Sequence, residues 1–276
     1  MISRKSPAFL IFALLGGFLL INLVLPIVSL PFVTDWAGSV TALRTTEARQ
    51  ALAVSIEASA ISLFIMALLG IPLGYLLARA DLPLKRIWII LVFLPMVVPD
   101  LAAGILLLRT FGPYGIIGQT LDARNISLTN NLAGIVLAQL FVAAPFAIIS
   151  ATASFSGVDH KLEVAAATLG DSQWYVFRRI SLPLAWPGIA AGLTLAWIRA
   201  MGEFGSTLIV AYNPHSLPVY MWIKFESEGI DGALPAAFCL VILATAAVIT
   251  SMLLNRLTGL ADVAAPLAKP ATSEHY

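Results

Sequence analysis

The sequence predicts an all-α polytopic membrane protein of six transmembrane helices, and three observations carry that prediction. Of 276 residues, 59% are hydrophobic and only 11% charged, with a mean hydropathy of +0.92, so there is too little polar surface to coat a water-soluble globule of this size. The apolar residues fall in continuous runs, not alternating ones, and the runs far exceed the roughly 10 residues of a barrel strand. A bilayer core about 30 Å thick takes roughly 20 apolar residues per helix, and a crossing backbone must pair its own polar groups, so each run reads as a helix.

The six runs cover 7–33, 51–78, 87–108, 131–153, 185–211 and 234–254. The first follows a short basic head, Arg4-Lys5, and is longer than the 7–15-residue core of a cleavable signal, so it reads as a retained span. In the second, Gly70 and Gly74 put small residues on one helix face, as Gly188 and Gly192 do in the fifth; both pairs suit close helix packing. Pro72, Pro95, Pro99 and Pro145 remove backbone donors inside spans and are expected to kink them. The sixth holds Cys239, the chain's one cysteine, so no disulfide framework or thiol metal site is expected. Residues 34–50, 109–130 and 212–233 read as short connectors with turn signals such as Phe111-Gly112-Pro113 and Asn213-Pro214. The polar end, 257–276, reads as a disordered tail.

Orientation follows from the basic residues. With a cytoplasmic N-terminus, ten Lys and Arg fall on inside segments and five on outside ones, which favours both termini inside. The segment between the fourth and fifth runs then also faces the cytoplasm. In it Asp159 can cap a short helix that runs to Leu169 and stops at Gly170. A second helix, capped by Asp171 or Ser172, has an apolar face of Trp174, Val176, Phe177 and Ile180 and is expected to stop at Pro183. The small faces of Ala165, Ala166 and Ala167 let another protein approach closely. Two readings stand side by side: a lever across the inner mouth of the bundle, or an amphipathic loop lying on lipid through Trp174, Arg178 and Arg179.

Four charges sit inside the runs. Arg199 and Glu203, four apart, share a helix face and can pair; Glu57 and Asp100 read as local hydrogen-bond partners. His160, His215 and His275 are scattered, and no metal site, HExxH signature or catalytic set is present. No G-x-x-x-x-G-K-[ST] phosphate loop occurs either, so the chain carries no ATPase of its own. The near balance of 16 basic and 15 acidic residues gives no reason to expect nucleic acid. An ion-coupled carrier would rest on Glu57, Asp100 and Glu203 alone.

Two alanines, a glycine four residues after the second, then nine residues and Ile-x-Leu-Pro are met at Ala165, Ala166, Gly170, Ile180, Leu182 and Pro183. This resembles the EAA loop of type I ABC-importer permeases, with one departure: Val164 stands where a glutamate is usual, and Glu163 lies one place earlier. The resemblance covers 50–256, with 1–49 added in front as a first span and outer loop. It implies a permease that needs no cofactor, works as a homodimer in the inner membrane of a prokaryote, and is served by two cytoplasmic ATPase subunits and an extracytoplasmic substrate-binding protein. It also implies that residues 163–166, Gly170, Ile180, Leu182 and Pro183 form the ATPase-coupling loop. Arg199, Gly202, Glu203, Phe204 and Gly205 are similar to the R-x-x-G-E-[FY]-G segment of molybdate, tungstate and sulfate permeases, which implies an oxyanion, molybdate or tungstate ahead of sulfate. On that resemblance, they are candidates for holding the helices at a gate. Permeases for iron, phosphonate or thiosulfate share the loop.

Overall fold

The computed structural model describes residues 7–257. Within them the chain is helical, with no strand among the described residues, and five helices or continuous helical runs are long and apolar enough to cross a membrane, or six if one sharply bent pair is a single span. The tail expected to be disordered lies, from residue 258 on, outside the described residues.

Helix α1 (Pro7–Val33) is apolar all round and exposed along its length, meeting the rest of the chain mainly at the last helix, α13 (Leu217–Leu257). Such a surface is stable only in lipid or against another apolar body. The connector after it folds into α2 (Trp36–Leu43), whose N-terminal amides on Ala37 and Gly38 donate to the Asp35 carboxylate. The second span is one continuous run, Thr46–Arg79: α3 (Thr46–Ile65), a π-helical turn (Met66–Gly70) and α4 (Ile71–Arg79). Pro72 falls just after the wide turn, where its missing N–H is tolerated.

The third predicted span is not one helix. It divides into α5 (Lys85–Val97) and α6 (Asp100–Phe111), which meet at 112°. Val98 is extended, with ψ 124°, as the ring of a following proline, here Pro99, demands. After a short α7 (Gly118–Asp122) comes α8 (Leu132–Ser156), the central helix, against which α3, α4, α6 and α11 (Leu182–Met201) all pack.

Small residues set those distances. A Cβ on Gly74 would stand 2.6 Å from the Ala151 Cβ, and one on Gly188 or Gly192 would strike Ser154 or Ser150, so both glycine pairs seat their helices on α8. One face of α3 adds a buried polar seam at spacings of four and three. Ser55 Oγ accepts from the Leu217 amide (2.7 Å), Ser59 Oγ from Trp197 Nε1 (3.1 Å), and Ser62 Oγ donates to Gln139 Oε1 (2.8 Å). Each such contact between helices in lipid contributes about 0.6–2 kcal/mol.

The last third corrects three expectations. Pro183 does not stop a helix: α10 (Gln173–Val176), a π-helical turn (Phe177–Ser181) and α11 run on as one, Gln173–Met201. The wide turn absorbs the proline as its counterpart does at Pro72. Nor does the fifth span reach 211; it ends at Met201, and a separate α12 (Gly205–Val210) follows. The connector 212–233 is mostly helical, being the first arm of α13, which breaks at Gly229 (φ 74°, ψ −158°), a conformation open to glycine.

Candidate coupling loop and helix-break cluster

Two groups of candidate residues lie in separate places. The first is the loop between α8 and α11. Asp159 caps α9 (His160–Thr168) by accepting from the Lys161 amide at 2.9 Å. At the other end Gly170 lies at φ +96°, the Asp171 amide donates to Ala166 O and the Gly170 amide to Ala167 O. This is a Schellman closure, in which the last turn is satisfied by a left-handed residue four places after the acceptor. The alanine-to-glycine spacing of the motif is therefore the spacing of a helix stop. Ser172 rather than Asp171 caps the next helix, through the Tyr175 amide.

Glu163 does not face outward. It is 6% exposed and sits in a pocket of partners from three elements. Arg79 Nε, at the end of α4, lies 3.1 Å from Oε1 and 2.9 Å from Oε2; Ser181 Oγ, in the π turn, donates to Oε1 at 2.6 Å; His160 Nδ1 stands 2.9 Å from Oε2. Burial opposes the charged carboxylate, but hydrogen bonds from Ser181 and His160 and the Arg79 charge outweigh it, so its pKa lies below the ordinary glutamate value. Arg79 Nη2 also donates to Val158 O at 2.6 Å, gripping the corner between α8 and α9.

Beneath the ion pair lies an aromatic ladder. Tyr75 meets Phe155 and Phe177 edge-on at 5.1 and 4.9 Å, and Trp174 stacks on Phe177 at 5.5 Å. A cleft of about 330 Å³ opens beside it, lined by Arg79, His160, Glu163, Val164 and Gln173 among others. Val164 and Ala165 are exposed and Ala166 is buried. Ile180 and Leu182 pack part-buried on either side of Ser181.

The second group gathers where two helices break. Arg199 Nη1 bonds Glu203 Oε2 at 2.9 Å, the pairing expected from their spacing, and Nη2 bonds Asp100 Oδ1 at 2.7 Å. Glu203 is buried beyond the end of α11, not within a span, and its other oxygen accepts from the Ser206 amide at 2.7 Å. Ser206 Oγ in turn donates to Asp100 O at 2.8 Å. Gly205 is required by contact: a Cβ there would lie 2.8 Å from the Asp100 Cβ. Phe204 leans on Trp222 of α13 at 5.5 Å, while Gly202 is exposed, and a Cβ there would meet only Ile198 O at an ordinary 3.5 Å.

Thus α6 and α12 both begin at this cluster, and each positive N-terminus already faces a carboxylate of the chain itself. With two carboxylates for one guanidinium, the group suits holding the breaks together better than binding an anion. Glu57, expected to find a local partner, is exposed and has none among the described residues.

Arg79, His160 and Ser181 were invisible as site residues in the sequence, and Asp100 was read without its partner. Their contacts span 84, 3, 18 and 99 positions along the chain; of these only the His160 contact falls within one helical turn.

Comparison with known proteins bears on the chain as a whole. Residues 70–259 match the family model described as binding-protein-dependent transport system inner membrane component. A probable molybdenum ABC transporter permease protein of Haloferax volcanii is 42% identical, with 86% of each chain covered. The molybdate/tungstate transport system permease protein WtpB of Thermococcus kodakarensis is 38% identical over 87% of this chain and 93% of its own. Among solved structures, a bacterial alginate ABC transporter in complex with a periplasmic protein aligns with a TM-score of 0.67 at 18% identity, covering 90% of this chain and 96% of that one. The MetNI methionine ABC transporter aligns at 0.61, also at 18% identity, covering 75% and 94%. These last two likenesses bear on fold alone.

Proposed function

The chain belongs to the family of binding-protein-dependent transport system inner membrane components, and from that membership we propose that it is the permease subunit of an ATP-driven importer of an oxyanion, molybdate or tungstate ahead of sulfate. The similarity along most of its length to permeases named for molybdenum and for molybdate/tungstate carries this reading.

The rest of the assembly is what that family membership implies. The sequence has no phosphate-binding loop; two partner ATPase subunits supply the energy, and an extracytoplasmic binding protein delivers the anion. Two copies pack about a twofold axis, the commonest closed arrangement. A prokaryotic inner membrane is what the family implies, and the ten-to-five distribution of basic residues supports both termini being cytoplasmic. The loop from Asp159 to Pro183 then lies on the ATP side, as the dock for the ATPase.

Arg199, Glu203 and Gly205, with Asp100, serve as the gate-holding group: they join the two helix breaks and leave no free cation to retain the substrate. ATP binding and hydrolysis act by favouring one arrangement of the helices over another, so coupling runs both ways, and the loaded binding protein outside must stimulate hydrolysis inside.

The test is uptake into proteoliposomes containing the chain, its ATPase and its binding protein. ATP-dependent accumulation of molybdate or tungstate, with sulfate weaker, is expected; uptake of none of the three would overturn the substrate reading. Wild-type flux in both Glu203→Gln and Arg199→Lys would overturn the gate.

A further inference from the structure

Covalently, α9 is joined only to α8 and to the run that becomes α11. The second span has no chain connection to it, yet Arg79 at the end of α4 reaches it through Glu163. We propose that Glu163 is a positioning residue, a buried pin that makes α9, α4 and α11 move as one body, and that it takes no part in gripping the ATPase. This rests on the coupling reading above.

Burial together with hydrogen bonding keeps Glu163 out of the grip. An ionised carboxylate offers about four acceptor sites, and three donors occupy it here: Ser181 Oγ at Oε1, His160 Nδ1 at Oε2, and the single Arg79 Nε–H shared between the two oxygens. The side chain is only 7% exposed, so a donor on another protein has no path to what remains.

The opposite side of the helix is different. Lys161, Val164, Ala165 and Thr168 recur at spacings of three and four and are all exposed, so they form one outward face. Val164 stands at the edge of this face nearest Glu163 and is 47% exposed. Contact with the ATPase is carried by this face of two apolar and two polar residues, and the motif's departure at 163–164 is a division of labour: the acid fastens the helix inside, the valine meets the partner outside.

The geometry also sets where a push on α9 goes. Arg79 grips Glu163 and Val158 together, and Tyr75, one turn earlier on α4, packs on Phe177 of the π turn. Displacing α9 therefore drags the end of the second span, and through the π turn it turns α11. Without the pin the push reaches the end of the second span only indirectly, through its packing on α8 and on Phe177.

The experiment uses the full chain reconstituted with its ATPase and binding protein, and reads two quantities: ATPase subunit retained on purification, and the ratio of ATP hydrolysis with and without loaded binding protein. For Glu163→Gln, retention stays at the wild-type level while the ratio falls about tenfold, within the usual range of coupling energies. Arg79→Leu gives at least the same fall, because it also releases Val158, and the double variant is no worse than Arg79→Leu alone, because the Glu163 link is already gone. Val164→Asp does the reverse and loses the ATPase. A merely structural role for Glu163 would lower both hydrolysis rates together and leave the ratio intact, which would overturn the pin. So would loss of the ATPase from Glu163→Gln with its retention by Val164→Asp. Should Glu163→Gln fail to fold, Ser181→Ala, which keeps the ion pair, must still lower the ratio. A wild-type chain that held no ATPase would instead overturn the coupling reading beneath it.

Discussion

At Glu163 one carboxylate faces a guanidinium, a hydroxyl and an imidazole, and both oxygens are hydrogen-bonded. At Arg199 one guanidinium faces two carboxylates, and the outer one, Asp100, is 44% exposed. The first cluster is closed and over-supplied with donors; the second is partly open and short of positive charge. The difference matches what each one joins. The closed cluster fastens elements that already pack through an aromatic ladder, whereas the open one spans two helix breaks, where the backbone offers few other ties. A cluster short of cation depends on its arginine far more than a cluster rich in donors depends on any one of them.

The largest test of that contrast is Arg199→Leu. It leaves the buried Glu203 facing Asp100 without a cation, and an uncompensated buried charge costs about 3 kcal/mol or more. A drop of that size should appear in chemical or thermal unfolding in detergent, together with loss of uptake. Ser181→Ala comes next. Glu163 loses one of several donors, so the expected cost is about 1–2 kcal/mol in the same assay. An equal or larger effect than that of Arg199→Leu would break the comparison. Gly170→Ala follows at about 1 kcal/mol, since its φ of +96° strains any L side chain although no atom lies within 4 Å of the added methyl.

The smallest expected effect is that of pH. Because the Glu163 pKa is lowered in the folded chain, its contribution is fully present above the ordinary carboxylate value of about 4.3 and is lost as pH falls below it. The stability difference between wild type and Glu163→Gln should thus stay flat from pH 8 to about 5 and shrink only under more acid conditions.

Much of this was readable in advance, for identifiable reasons. Span positions followed from composition, because lipid leaves a crossing chain few alternatives. Arg199 and Glu203 could be paired because four residues make one helical turn. The helix stop at Gly170 could be read because its cap is local. Asp100 could not be assigned to Arg199, nor Arg79 to Glu163, since those contacts depend on how distant helices pack. Pro183 misled for a different reason: a proline ends a regular α-helix, but a π turn just before it frees the space its ring needs.

That turn has a consequence of its own. A π turn holds one residue more than the α-helical turn it replaces, so the helix on one side is out of phase with the other by about 100°. Both spans that carry a glycine pair against α8 contain one, at Met66–Gly70 and Phe177–Ser181. Deleting a single residue from either π turn would let it close as a regular α-helical turn, with the halves on both sides keeping their faces. Deleting one from an α-helical part of either span would instead shorten the rod by only about 1.5 Å, well within what a bilayer tolerates, yet rotate one half against the other by about 100°. These two spans can tolerate error in length but not in angle, and they act as shafts whose setting is fixed at one joint each.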